Sequence, residues 1–270
     1  MSTFKSIKVI IVDNGSRDHE AAQLSKKFPQ VTLIAKQENL GFARGANIGI
    51  ESALSCEDCE YILVLNNDSI VPRKALAVLH ETISSLPDTL LSPVILFAGT
   101  DRVQSAGGKI NRLLGYCRNN EKNSRYRPGR ADTTADFLSG CAIIGHKSIW
   151  ACLGGFDEDY FAYYEDVDLS LRAKLNNYKL RVTHHTFVYH KHSSSLATEP
   201  ATKTYLLTRN AIIFAKKQLT YKWVFIFNSL PYHLLLGLVR QKSLQALRPW
   251  YRGVRDGLSY TTRRSRCLPE

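Results

Sequence analysis

Several familiar signatures are missing from this chain, and each absence removes a class of function. No G-x-G-x-x-G fingerprint and no G-K-[ST] phosphate loop occurs, which argues against NAD-dependent enzymes and P-loop nucleotide hydrolases. Cysteine is sparse. The six residues, at 56, 59, 117, 141, 152 and 267, make no dense disulfide framework, so a reducing compartment is the expectation. Cys56-Glu-Asp-Cys59 has zinc-knuckle spacing, but no second pair completes four ligands, and two incidental loop thiols are the better reading. No secretory signal peptide opens the sequence, which favours the cytosolic side of a membrane. Long apolar runs are scarce too. The one candidate, Trp223 to Val239, is interrupted by Asn228, Ser229, Pro231 and His233, so a clean membrane span is not expected.

What is present suffices for one sizeable domain with its own core and an appendage: 270 residues with 44% hydrophobic content. The net charge of +12 is unevenly spread. From Ala201 onward there are 13 Lys or Arg against Asp256 and Glu270 alone, which leaves residues 1–200 nearly neutral. A neutral body with a basic tail points to an anionic surface, either lipid headgroups or nucleic acid.

The most informative stretch is Tyr61-Ile-Leu-Val-Leu-Asn-Asn-Asp68, an apolar run of strand length that ends in two amides and a carboxylate. Such a run reads as a strand buried in a parallel sheet, whose carboxyl end is where α/β folds place a ligand. Asn66, Asn67 and Asp68 are therefore site candidates, although Asn and Asp also simply start turns. Ile7 to Val12 is a second such strand, ending in Asp13-Asn-Gly-Ser-Arg-Asp18. There Asp13 can accept from a base or ribose, Gly15 permits a tight turn, and Ser16 or Asp18 can cap the next helix. A helix over His19 to Phe28 and a strand over Val31 to Ile34 follow. Glu38-Asn-Leu-Gly-Phe-Ala-Arg-Gly-Ala-Asn47 then opens a helix running to Leu54, a glycine-rich entry suited to close approach of a diphosphate. Arg44 on that helix can face a donor group or solvent.

A helix is expected from Pro72 to about Leu86, and loops with short strands from Ser92 to Arg130, where Asn119 to Arg130 reads as a mobile flap on the acceptor side. Phe137 to Ile144 reads as a strand containing a close-approach glycine, and Gly154-Gly-Phe-Asp-Glu158 as a turn. Phe161-Ala-Tyr-Tyr-Glu-Asp-Val-Asp168 leads into an amphipathic helix over Leu169 to Leu175. Acids at a helix N-terminus are favoured by the dipole alone, and Asp168 can pair with Arg172 one turn on. The preceding aromatics suggest more. Phe161, Tyr163 and Tyr164 can form a water-poor wall for a sugar ring, and a partly desolvated Asp166 would gain the basicity of a general base. Arg181 to His190 reads as a strand whose last residue is a candidate metal ligand or a polar strand end, the latter made credible by His184, His185 and His192.

The succession Val12-Asp-Asn-Gly-Ser, Glu38-Asn-Leu-Gly-Phe-Ala, Leu65-Asn-Asn-Asp, Ser105-Ala-Gly-Gly, Gly154-Gly-Phe-Asp-Glu, Tyr164-Glu-Asp-Val-Asp-Leu and Tyr189-His-Lys resembles family 2 glycosyltransferases, and within them the rhamnosyltransferase-like enzymes of bacterial surface polysaccharide assembly. The match covers most of residues 7–210. It implies an α/β GT-A fold, Rossmann-like, with a central mixed sheet flanked by helices and a C-terminal helical appendage. It implies inverting transfer of a sugar, rhamnose among the candidates, from a dTDP- or UDP-sugar donor to a hydroxyl of a growing, lipid-linked, cell-surface glycan. By position, Asp13, Asn39, Gly41, Arg44, Asn66 and Asn67 would contact the donor. Asp68 and His190 would hold Mg²⁺ or Mn²⁺, Asp166 would be the catalytic base, and Glu165, Tyr163 and Tyr164 would lie on the acceptor side. Members of this family usually begin with one further βα unit, whereas here Met1-Ser-Thr opens almost directly on the second strand. The alternative expectation is therefore a truncated, inactive remnant with binding capacity only. Gly145-His146, where basic residues are common, is a smaller departure.

The expected organisation is a transferase domain over residues 1–205 and a basic amphipathic helical tail over 206–270. With Lys222 before the apolar block, Arg240 and Lys242 after it and Trp250, Tyr251, Arg252 and Arg255 beyond, the tail reads either as an interfacial membrane anchor or as helices packed on the domain. The first reading places the chain in the cytoplasm, peripheral on the inner membrane face. The tail carries no recognisable nucleic-acid motif, so no nucleic-acid partner is expected.

Overall fold

The computed structural model describes residues 7–16, 20–191 and 200–261. Asp18, His192 and Cys267 lie outside them. Strands β1 (Ile10–Asn14) and β2 (Thr32–Lys36), linked through α1 (Glu20–Lys27), form a two-stranded parallel sheet. Helix α2 (Phe42–Leu54) leads to β3 (Tyr61–Leu65), β4 (Ser69–Ile70), α3 (Ala75–Ser84), β5 (Thr89–Phe97) and β6 (Val103–Ser105). A hairpin of β7 (Gly108–Asn111) and β8 (Tyr116–Asn119) precedes β9 (Thr133–Thr134), β10 (Ala142–His146), α4 (Lys147–Leu153), α5 (Glu165–Leu175) and β11 (Lys179–His190). Three helices follow: α6 (Pro200–Gln218), α7 (Lys222–Gln241) and α8 (Leu247–Ser259).

The main sheet has seven strands and is mixed, in the order β3-β10-β5-β11-β4, with β6 added to β5 and β9 to β11. Strands β5 and β11 run parallel, and β10 runs antiparallel to both β3 and β5. The carboxyl ends of β3, β5 and β11 therefore share one edge. That edge carries Asn66 to Asp68 and His190, the strand-end placement expected of the polar residues, but β3 is not buried in a parallel sheet as its apolar run suggested: it is an outer strand, antiparallel to β10, with only Ile62 buried.

Three further expectations need correcting. The stretch beginning at Ser92 is loops and short strands, as expected, only beyond Phe97: residues 92–97 belong to β5, the best-buried strand, with eight of its nine residues inside. Pro93 hides it. Proline is tolerated in a sheet at a bulge, and the β5–β11 register slips just there, from Thr183 opposite Pro93 to Phe187 opposite Val94. The strand expected over Phe137 to Ile144 instead starts at Ala142, and residues 137–141 form a loop tied to α5 through Ser170 Oγ, which accepts from Leu138 N at 3.0 Å. The segment read as a mobile flap is also tied down. Asn123 N donates to Val103 O at 2.7 Å, Tyr126 N to Asp101 O at 2.8 Å and Tyr126 Oη to His184 O at 2.9 Å.

One core cluster packs α2, α4 and α5 against the sheet around Leu90, Val94, Ile143, Trp150, Phe156 and Leu169. A second joins Phe137, Tyr160, Tyr164 and Val167 to Phe214 of α6 and Phe225 and Ile226 of α7. Phe214 and Phe225 are fully buried, and each such side chain contributes about 2 kcal/mol. The expected boundary at residue 205 falls inside α6.

Candidate active site

At the carboxyl edge of the sheet, β4 pairs with the end of β11 so that His190 faces Ser69, the residue after Asp68. Asp68 Oδ1 lies 2.9 Å from His190 Nε2, and both side chains are largely shielded. The other ring nitrogen, Nδ1, donates to Gln104 Oε1 at 3.1 Å, which orients the imidazole. Asn66 Nδ2 stands 3.2 Å from the same Nε2. An ionised carboxylate only accepts and an amide nitrogen only donates, so one ring nitrogen cannot serve both. Asn66 Oδ1 is buried with no partner. This combination of competing contacts on Nε2, an acceptor-only carboxylate and an orphaned amide oxygen fits a hard divalent cation, which takes oxygen ligands and a neutral imidazole. Among the described residues no group of three or more His, Cys, Asp or Glu side chains converges, so such a cation would draw its remaining ligands from water or from the phosphates of a bound donor.

The second centre is the entry to α5. Tyr163 and Tyr164 both adopt left-handed backbone conformations, with φ of 70° and 74°, a costly arrangement for bulky side chains that persists only where the surroundings fix it. They are fixed by Asn210 of α6, wholly buried, whose Nδ2 donates to the carbonyls of Ala162 and Tyr163 at 2.8 Å each. The turn delivers Asp166 against the loop before β10, where Asp166 Oδ2 accepts from Gly140 N at 3.0 Å and Oδ1 from Val167 N at 2.9 Å. Burial lifts the Asp166 carboxyl above the ordinary aspartate range although these backbone donors pull it back. Glu165 is buried, its Oε2 has no partner, and burial together with the Asp166 charge pushes its carboxyl well above the usual range. Asp168 turns away from both. It forms the expected pair with Arg172 at 2.7 Å, fully inside the protein, and Arg172 also donates to the carbonyls of Leu153 and Gly155 at 2.6 and 2.8 Å. Tyr164 is not part of an open wall. Its ring is buried against Phe214, and its hydroxyl lies 3.3 Å from His233 Nε2 of α7. The half-buried Tyr163 ring carries Lys203 above it instead.

One residue step links the two centres. Gly140 donates to the Asp166 carboxylate, and the carbonyl of the next residue, Cys141, accepts from Asn66 N at 2.9 Å. A Cβ at Gly140 would meet that of Asp166 at 3.4 Å, an ordinary van der Waals contact.

The loop before α2 borders the end of β1. Asn14 Nδ2 donates to Gly41 O at 2.8 Å, and Asn14 Oδ1 accepts from Leu40 N at 3.0 Å. Asn39 Oδ1 accepts from Gly41 N at 2.9 Å. Gly41, at φ 84°, cannot be replaced without a clash, since a Cβ would lie 2.4 Å from Phe161 O. Asp13 makes a local turn, accepting from Ser16 N at 3.0 Å. Arg44 pairs loosely with Glu158 at 3.7 Å, both well exposed, and Asn67 is exposed at the strand end. The structure thus gathers Asn66, Asp68 and His190 at one centre and Glu165 and Asp166 at another. Asp13, Asn39, Gly41 and Arg44 lie along the β1–α2 border.

Sequence reasoning passed over Gln104, Asn47 and Asn210. Asn47 Oδ1 accepts from Phe156 N and its Nδ2 donates to Phe156 O, both at 2.8 Å, pinning α2 to the Gly154-Gly155 turn. Gln104 immediately precedes the Ser105-Ala-Gly-Gly motif and Asn47 closes the glycine-rich stretch from Glu38, whereas Asn210 carried no local signal.

A family model for glycosyl transferase family 2 matches residues 2–154, more than half of the chain. The chain belongs to glycosyl transferase family 2. Among curated relatives of this glycosyltransferase, the N-acetylglucosaminyl-diphospho-decaprenol L-rhamnosyltransferase of Mycobacterium tuberculosis is 25% identical over 233 residues, covering 79% of this chain and 76% of that protein. The low-salt glycan biosynthesis hexosyltransferase Agl10 of Haloferax volcanii is 25% identical over 173 residues, covering 62% and 53%. Among solved structures, GalNAc-T7 with UDP, GalNAc and Mn²⁺ superposes with a TM-score of 0.65 at 12% identity, over 84% of this chain and 44% of that one. S. aureus TarS 1-349 in complex with UDP does so at 0.56 and 17%, over 93% and 70%. The mixed α/β architecture is that of the GT-A glycosyltransferases, extended by C-terminal helices.

Proposed function

We propose that this family 2 enzyme transfers a sugar, with inversion, from a nucleoside-diphosphate donor to a hydroxyl of a lipid-linked glycan at the cytoplasmic face of a membrane. The observation that carries this reading is the single-residue link between a shielded carboxylate of raised basicity and the Asn66, Asp68 and His190 centre. Inverting displacement needs a base on the acceptor face and charge neutralisation on the leaving-group face, and two centres held together by Gly140 and Cys141 offer that division. Asp166 takes the proton of the acceptor hydroxyl as its oxygen bonds to the anomeric carbon and the bond to the donor phosphate breaks. Gly140 N and Val167 N keep the carboxylate aimed, and the buried Tyr164 and Asn210 hold the strained turn that presents it. Asn39 and Gly41 border the donor, with Asp13 toward the nucleoside and Arg44 and Asn67 at its rim. Asp68 and His190 would hold Mg²⁺ or Mn²⁺ with the orphaned Asn66 oxygen beside them. Such a cation supplies Lewis-acid neutralisation of the departing diphosphate. Glu165 and Tyr163 stand on the acceptor side. The relatives' names support a rhamnose or other hexose donor and, for the mycobacterial enzyme, an acceptor carried on a diphospholipid.

The test is calorimetric titration with UDP and dTDP, with and without Mn²⁺, on the parent chain and Asp68→Ala. Metal-dependent binding that the variant loses is the expected result, and the preferred nucleotide narrows the donor. Folded protein that binds neither nucleotide overturns the reading in favour of an inactive remnant.

A further inference from the structure

The outward face of α7 is apolar along its whole length. Trp223, Phe227, Pro231, Leu235 and Val239 recur at every fourth residue, the spacing that keeps side chains on one side of a helix. Trp223, Phe227, Leu235 and Val239 are 60, 82, 61 and 66% exposed. The opposite face, with Phe225, Ile226, Ser229, His233 and Gly237, is buried. The tip of the β7–β8 hairpin adds Leu113 and Leu114, 68 and 52% exposed. The tip is locked to α7. Asn228 Nδ2 donates to Leu113 O at 3.0 Å, and Gly115, at φ 70°, approaches so closely that a Cβ would lie 2.5 Å from Phe225 O and Ser229 N. From Ala201 to Arg255 the sequence holds ten Lys or Arg and no carboxylate.

Scattered exposed apolar residues are ordinary, but a stripe continuous with an apolar hairpin tip marks a docking surface. Charge selects the occupant. A second copy seated on this face would bring the Lys222, Arg240 and Lys242 that border the stripe against their own counterparts, with no carboxylate on α7 to pair them, whereas an anionic lipid surface takes the apolar stripe at its acyl boundary and such cations at its headgroups. We infer that the outer stripe of α7 and the Leu113-Leu114 tip form one interfacial face that lies in an anionic lipid surface and sets the transfer site one helix thickness away from it. The contacts fix that reach. On the inner side of α7, His233 meets Tyr164, the residue directly before Glu165-Asp166. Only one helix, about 10–12 Å thick, separates lipid from that turn. Resting on the transferase reading, this reach selects an acceptor hydroxyl on the sugar attached next to the lipid diphosphate rather than on the far end of a long glycan.

Flotation of the purified full chain with phosphatidylcholine vesicles, and with vesicles that also contain phosphatidylglycerol, tests the face. The parent is expected to float with the anionic vesicles and to shift its Trp223 emission to the blue, a shift absent in Trp223→Phe. Phe227→Glu combined with Leu235→Glu, and separately Leu114→Asp, should each lower partition about tenfold or more with circular-dichroism melting unchanged. Parent protein that floats with neither vesicle, or variants that float equally, overturns the face. So does a dimer in sedimentation that the Phe227→Glu, Leu235→Glu protein splits, because the second copy is then the occupant. Transfer assays on acceptors carrying one sugar or a long glycan on the same lipid test the reach, and faster transfer to the long glycan overturns it. Flotation reads no turnover, so an inactive chain that floats defeats the transferase reading while leaving the face standing.

Discussion

Asp166 and Glu165 are neighbours in sequence and burial raises both carboxyls, but backbone hydrogen bonding holds the rise back more at Asp166 than at Glu165. Asp166 receives donors from Gly140 and Val167, which favour its charged form within a shielded site, while the Glu165 Oε2 receives none. Asp166→Asn should therefore lower kcat by roughly 10²–10⁴ while leaving UDP affinity unchanged, and the acid limb of the parent kcat/KM profile should fall above the ordinary aspartate value of about 3.9. Steady-state kinetics across pH with parallel calorimetry checks both. For Glu165 the same physics acts on stability. Its folded pKa is raised, so above an unfolded value of about 4.3 the unfolded chain releases a proton that the folded chain keeps, and stability falls as pH rises through that window. Glu165→Gln removes this titration. In urea denaturation the variant should gain on the parent steadily from pH 4 upward, and parallel profiles would sink the assignment.

At the scale of elements, α6 is the scaffold of the turn that presents Asp166, the proposed base. Asn210 satisfies the carbonyls of Ala162 and Tyr163, which lead into the left-handed pair Tyr163-Tyr164, and Gln218 Nε2 donates to Asp168 Oδ1 at 2.7 Å. Lys217 closes the segment further by bridging Asp157 and Asp159. Asn210→Ala should cost about 2 kcal/mol or more by leaving those carbonyls unpaired, and should depress kcat further than nucleotide binding because Tyr164 and Asp166 lose their fixed approach. Urea midpoints and kinetics on one preparation separate the two effects. The turn also shows why part of the site was readable and part was not. Local signals of strand, polar terminus and glycine located strand β3 and pointed to Asp68, Gly41 and Asp166 as candidates. Strand β5 was masked by Pro93, because only the partner strand reveals that a bulge accommodates it. Tyr164 was misplaced, since a sequence gives aromatic character but not which side of a turn faces solvent. The partners of Asp166 and Tyr163 come from residues 26 and 47 positions away, a separation no periodicity can report.

Across the whole molecule, the catalytic body and the basic helices are joined by one core, and His233 lies at the seam. It is 5% exposed on the inner face of α7, its Nδ1 has no partner, and its Nε2 meets the Tyr164 hydroxyl. Burial, aided by the nearby Arg240 charge, lowers its pKa to about 4. A base whose folded pKa is depressed binds fewer protons folded than unfolded between that value and its ordinary one of about 6.5, so stability is fully present above pH 6.5 and is lost as pH falls toward 4. Between pH 7 and pH 5 the loss amounts to about 2 kcal/mol. Glu165 acts in the opposite direction over part of this range, so the parent profile alone cannot assign the effect, but His233→Phe can. The aromatic replacement keeps the packing against Tyr164 and Tyr232, gives up one hydrogen bond at every pH, and removes the titration. Urea unfolding at pH 7 and pH 5 should therefore show the parent losing about 2 kcal/mol more than the variant. If both lose the same amount, α7 is not held to the body through a neutral His233, and the seam between lipid face and catalytic turn lies elsewhere.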